Sequence, residues 1–194
     1  MWPARAAIRP VSAHAQVGEH AVWHAEEGLG APEGLEERLE DAFVTLETSQ
    51  PALGAWLREE LDGVRDETSR ALGFVLATVV HRAFAESFGA RLRRVGDDAL
   101  ASVRAAFAWD EELRRGFADE MLESDDLVAI AQPHLVAFVR GELEAALVLD
   151  EDGEAPDVDL DAAASVYRAV LIEILALGEA VATGVGPQPS PLLA

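Results

Sequence analysis

The stretch Leu35-Glu-Glu-Arg-Leu39-Glu-Asp-Ala42-Phe43-Val-Thr-Leu46 decides the fold class. Its apolar residues Leu35, Leu39, Ala42, Phe43 and Leu46 stand four, three, one and three positions apart. That spacing lines one face of a helix and cannot line one face of a strand, whose side chains alternate with a period of two. The helix is expected to open near Pro32 and Glu33.

Outward from there the same periodicity recurs. Pro51 suits the first position of a helix running through Trp56, Leu57 and Leu61 to a stop at Gly63. A third helix starts near Asp66 and carries Leu72, Val75, Val79, Val80 and Phe84 to Gly89. Asp97 or Asp98 caps a fourth, with Leu100, Val103, Phe107 and Leu113. Ser124 or Asp125 caps a fifth, which Pro133 breaks or restarts. A last helix spans about Asp161 to Thr183. No stretch alternates with the strand period for long enough to compete. The expectation is an all-α, single-domain bundle of six or seven helices between about residues 33 and 183.

Composition agrees and excludes several functions. Half of the 194 residues are apolar, and a chain of this length can bury close to ~70% of its unfolded surface in one core. The cations are all Arg, 15 of them against 36 acids, giving a net charge of −21. A chain with no basic stripe is a poor partner for nucleic acid or for an anionic membrane surface. The absence of Cys removes disulfides, zinc ribbons, iron–sulfur ligation and thiol chemistry. High-GC codon bias, or adaptation to high salt, accounts for the missing Lys without bearing on function. No segment reaches ~18 uninterrupted apolar residues; the longest candidate, Leu127 to Val139, contains Gln132, Pro133 and His134. Arg5, Arg9 and Pro10 interrupt the place where a signal-peptide core would sit. The expected location is cytoplasmic. Residues 1–18, with Pro3 and Pro10 and no acid, read as a flexible arm, 19–183 as the helical domain and 184–194 as a Gly/Pro-rich tail.

One internal similarity runs through the domain. Gln50-Pro-Ala-Leu-Gly-Ala-Trp-Leu-Arg-Glu-Glu-Leu61 matches Gln132-Pro-His-Leu-Val-Ala-Phe-Val-Arg-Gly-Glu-Leu143 at seven of twelve positions. The helices that follow align as Phe74–Val80 with Ala169–Leu175, at offsets of 82 and then 95. The 13 extra residues fit the acidic loop around Asp150 to Asp161. Two duplicated helical units, about 33–95 and about 111–183, are the reading. With Pro51 and Pro133 at the first helical position, Gln50 and Gln132 fall at the N-cap, where Gln is a poor choice. Each is therefore expected to reach outward and bond backbone groups of the neighbouring unit, and Trp56 and Phe138 are expected in the core.

The Gln-Pro-x-Leu helix followed by a long apolar helix, with Leu92-Arg-Arg-Val leading into Asp97-Asp98, resembles a group of helical bacterial proteins of uncharacterised function. The resemblance covers most of residues 33–180, implies the same all-helical fold and adds no activity.

Three constellations carry chemistry. In Glu19-His20-Ala-Val-Trp-His24-Ala-Glu-Glu27, a helix would place His20, His24 and Glu27 on one face. Two imidazoles and a carboxylate suit Zn, Fe or Mn, with His14 as a possible fourth ligand. The pattern is not the metalloprotease His-Glu-x-x-His, and a solvated polar segment is the plain alternative. The acidic loop fails as a calcium EF-hand: starting at Asp157, position 6 is Ala162 and position 12 is Arg168. Finally, Glu173 interrupts an apolar helix and aligns with Thr78, one turn before His81. Packed across a pseudo-twofold, Glu173, Thr78 and His81 would form a polar slot for a ligand or for acid–base chemistry; otherwise Glu173 faces water. The leading functional expectation is a protein-interaction or adaptor module with a protein partner or self-association, without cofactor. The alternative is a metal- or small-ligand-binding bundle, conceivably an enzyme, with a divalent ion; mimicry of nucleic acid has no spacing to support it.

Overall fold

The computed structural model describes residues 13–30, 34–116, 124–148 and 158–183. They form α1 (Glu19–Glu27), α2 (Leu35–Ser49), α3 (Pro51–Asp62), α4 (Glu67–Phe88), α5 (Asp97–Gly116), α6 (Ser124–Ala131), α7 (Pro133–Leu147) and α8 (Leu160–Ala180). The architecture is all-α, with no strand among the described residues. An isolated antiparallel bridge joins Leu92 to Val181. Most of the acidic loop, including Asp157, and the 184–194 tail lie outside the described residues.

α4 and α8 pack against each other at the centre. Every residue of α8 from Ala169 to Gly178 is buried, as expected of a helix apolar on all sides. Gly73 lies close to both neighbours: a methyl built there would press into a methyl of Leu61 on α3 and stand 3.3 Å from both methyls of Val166. By length and mean hydropathy, residues 67–91 could cross a membrane, yet 56% of the apolar window is buried inside the bundle, as in a core helix.

Around this pair several helix pairings among the first four helices recur among the last four. α2 packs on α3 and α4 as α6 packs on α7 and α8, and the first helix of each half reaches across to the other, α1 onto α7 and α5 onto α3. The local geometry matches too. Gln50 and Gln132 share one backbone conformation (φ −131°, ψ 65° and φ −136°, ψ 64°). Asp66 and Asp159 cap α4 and α8 alike, accepting from the amides of Ser69 and Ala162 at 2.7 and 2.8 Å.

The two glutamines grip two extended segments in the same way. Gln50 Nε2 donates to Arg93 O at 3.0 Å while its Oε1 accepts from Val95 N at 2.8 Å. Gln132 Nε2 donates to Ala15 O at 2.6 Å and its Oε1 accepts from Val17 N at 2.9 Å. Val95-Gly96-Asp97 then leads into α5, and Val17-Gly18-Glu19 into α1. Each glutamine thus ties the start of its own helix to a segment distant in the chain, through one donated and one accepted bond, as a buried amide should.

Several sequence expectations change. Residues 13–18 are not a loose arm: Ala15 and Val17 are fully buried and Gln132 holds their backbone. Gln50 holds the segment from Arg93 to Val95 in the same manner. Trp56 is buried but Phe138 is only half-buried, packed on the edge of the core. The two capping aspartates stand 93 residues apart, two fewer than the offset of 95 that aligns Phe74–Val80 with Ala169–Leu175. An apolar run such as Phe74–Val80 can slide along another without penalty, whereas a cap fixes the register.

Candidate functional site

Val22 and Ala25 bury one side of α1, which packs on α4 and leaves His20, Trp23 and His24 facing out. The imidazoles of His20 and His24, one turn apart, meet edge to face, with centroids 4.0 Å apart and 64° between planes. Trp23 flanks both. The carboxylate that meets them is Glu86 of α4, whose Oε1 lies 3.2 Å from His24 Nδ1. One ligand atom from each of His20, His24 and Glu86 lies within 4.8 Å of the others.

The group takes its carboxylate from Glu86 of α4, and Glu27, expected from the sequence and lying on α1 itself, is not part of it. His14 is elsewhere, with Nε2 3.4 Å from Val181 O. Glu86 was illegible in the sequence because it is 62 residues from His24, and only the packing of α1 on α4 brings it there. The donor set is two nitrogens and one carboxylate oxygen, which suits zinc and its first-row neighbours rather than calcium or magnesium.

Beside the triad lies a cleft of about 520 Å³ between α2 and α4, lined by Arg38, Asp41 and Thr45 on one side and His81, Arg82 and Glu86 on the other. His81 is 3% exposed. Its Nε2 meets Ser49 Oγ at 2.9 Å, and Ser49 Oγ also reaches Leu46 O at 3.2 Å. A hydroxyl has one proton. Given to Leu46 O, it leaves Oγ to accept from His81 Nε2–H, and His81 Nδ1 is then a bare acceptor. That atom is buried without a partner. Burial, and then the charge of Arg82, hold the imidazole pKa down at about 4, so the ring is neutral at pH 7.

Glu173 does not face water; it is fully buried, and neither carboxylate oxygen has a hydrogen-bond partner. Burial raises its pKa well above the ordinary carboxylate value. Thr78 is likewise fully buried with an unpartnered hydroxyl. The structure therefore buries all three residues of the expected polar slot on the two central helices but joins them by no hydrogen bond. Among them, His81 reaches a cleft.

Comparison of the chain with protein-family models, with curated proteins and with solved structures finds no match in any of the three. The functional argument therefore stands on the residues themselves.

Proposed function

We propose that this protein binds a divalent transition-metal ion at His20, His24 and Glu86. The observation that carries the reading is the convergence of these three ligand atoms, from two helices, within 4.8 Å of one another. Two imidazoles one helical turn apart provide a chelate, and the carboxylate supplies negative charge to offset the ion's. Sites left open by the protein would take water or a ligand. The two halves are read as copies of one four-helix unit, supported by the matching clamps and caps. In this reading the metal site is a feature of the first half alone: counted from the shared Val-Gly entry, Asp98 and Ser102 stand where that half has His20 and His24.

A protein-interaction role draws its support from exposed apolar side chains, Trp23, Trp109 and Ile130 among them. These lie on three different helices, α1, α5 and α6, so the metal reading has the more specific geometry. It is tested by titrating chelator-treated protein with Zn²⁺ by calorimetry, and with Co²⁺ to read its ligand-field spectrum. One ion per chain is expected. Because losing even a supporting partner of a ligand weakens metal binding 10–100-fold, His24→Ala and Glu86→Gln should each weaken it at least about tenfold, while Glu27→Gln should not. Absence of saturable binding would end the proposal.

A further inference from the structure

Two polar contacts set how α1 lies along α4. His24 Nδ1 meets Glu86 Oε1 at 3.2 Å, and Arg82 Nη1 donates to Gly28 O, also at 3.2 Å. On α4, Arg82 precedes Glu86 by four residues; at the end of α1, Gly28 follows His24 by four. The two helices therefore run antiparallel here, with the contacts one turn apart on each. A single contact leaves α1 free to pivot. Two of them fix its register.

Apolar packing alone leaves that register open. Of the residues within α1, only Val22 and Ala25 are fully turned into the core, and so short an apolar face specifies burial more than alignment. Gly28 is the C-cap of α1, where carbonyls lack partners within the helix and the helix carries partial negative charge. A guanidinium there gains both a hydrogen bond and a favourable charge interaction.

Other side chains also tie this region. Gln132 of the Gln-Pro pair before α7 holds Ala15 and Val17 ahead of α1, and Arg38 of α2 donates to Leu29 O at 2.6 Å beyond its end. Arg82 differs from both in its place. It stands on the helix that carries Glu86, one turn away, so it holds the histidine-bearing helix directly against the carboxylate-bearing one.

We infer that Arg82 is a positioning residue for the metal site: by holding the C-terminal end of α1, it keeps His24, and His20 one turn earlier, against Glu86. A guanidinium has no lone pair to offer an ion, so Arg82 acts only through the ligands. The effect on metal affinity rests on the metal reading proposed above, whereas the register of α1 does not. The charge of Arg82 separates position from electrostatics. A cation one turn from Glu86 repels a divalent ion, so removing it would tighten metal binding if charge were all that mattered. Loss of position works the other way.

The test uses full-length, chelator-treated protein, titrated with Zn²⁺ by calorimetry and with Co²⁺ by its ligand-field absorption. Losing a group that orients a ligand weakens metal binding 10–100-fold, and Arg82 acts one link further away, so Arg82→Ala should weaken it about three- to tenfold. Its Co²⁺ bands should shift as the Glu86 contact loosens. Arg82→Lys, which can still donate to Gly28 O, should recover most of the affinity. Gln50→Ala, which acts on the distant 93–95 segment, controls for general loss of stability and should bind like wild type; circular dichroism melts confirm that each variant is folded during titration. Unchanged or tighter binding by Arg82→Ala, or equal weakening in Gln50→Ala, overturns the inference. In metal-free protein, nuclear Overhauser contacts between the His24 ring and the Glu86 side chain should be present in wild type and lost in Arg82→Ala. If wild type binds no metal, the metal reading alone falls, and these contacts decide the role of Arg82: their loss supports it and their persistence overturns it.

Discussion

His81 and Ser49 form a buried polar pair at 2.9 Å, Nε2 to Oγ, with the other imidazole nitrogen left unpartnered. Counted from the capping Asp66 and Asp159, and from the two Gln-Pro pairs, the positions later in the chain that answer to His81 and Ser49 hold Ile174 and Ala131. The first prediction concerns its pH dependence. The folded-state pKa of about 4 lies below the ordinary value of 6.5, so between these values the unfolded chain takes up a proton that the folded one refuses. Stability should therefore fall as pH drops below 6.5, by about 3 kcal/mol on reaching pH 4. Urea unfolding of wild type and His81→Leu at pH 7, 5.5 and 4.5 checks this: the variant should lack this component of the acid loss.

Glu173 works in the opposite direction. Its carboxyl stays protonated in the folded state above the pH at which the unfolded chain releases the proton, so it destabilises the fold increasingly as pH rises above 4.5. Glu173→Gln keeps the shape without the ionisable group. Its urea midpoint should exceed that of wild type at pH 7, and the difference should shrink toward pH 4. A variant less stable than wild type at pH 7 would mean that the carboxylate is ionised and compensated in the fold.

Replacing Gln132 by Ala leaves Val17 N and Ala15 O, both now bonded to the amide, without partners in a buried place. The expected cost is about 1–3 kcal/mol. Hydrogen exchange supplies the specific signature, because the Val17 amide should lose its protection while amides in the middle of α8 keep theirs. Gln50→Ala should act in the same way on Val95 N.

The two aromatic residues of the matched helices should differ in weight. Trp56 is 7% exposed and its Nε1 donates to Glu60 Oε1 at 2.9 Å, so Trp56→Ala should destabilise by about 3–5 kcal/mol. Phe138, only half-buried, should cost clearly less when cut to Ala. Equal losses in chemical denaturation would contradict the burial described.

Zinc should tie α1 to α4. At a free concentration 100 times its dissociation constant, an ion bound only by the folded state adds about 2.7 kcal/mol, which for a chain of this size raises Tm by about 5–10 °C. Differential scanning calorimetry with and without chelator measures it, and His20→Ala should abolish the shift.

Much of the architecture is written in local sequence, because helix formation depends on near neighbours. The spacing of Leu35, Leu39, Ala42, Phe43 and Leu46, the proline at position 51 and the capping Asp66 each specify an element without reference to anything distant. The repeated Gln-Pro pair was legible too, since a poor N-cap residue used twice needs a tertiary reason. What lay beyond the sequence were the pairings between elements. Glu86 replaces Glu27 beside His20 and His24 because α1 packs on α4, a contact that no local periodicity encodes. The segment around Ala15 and Val17 looked loose because its partner, Gln132, is more than a hundred residues away. How α8 lies against α4 was hidden for the same reason that both helices form the core: an almost unbroken apolar surface specifies burial but not alignment, which only the tertiary packing of the two helices, with Gly73 close to Val166, decides.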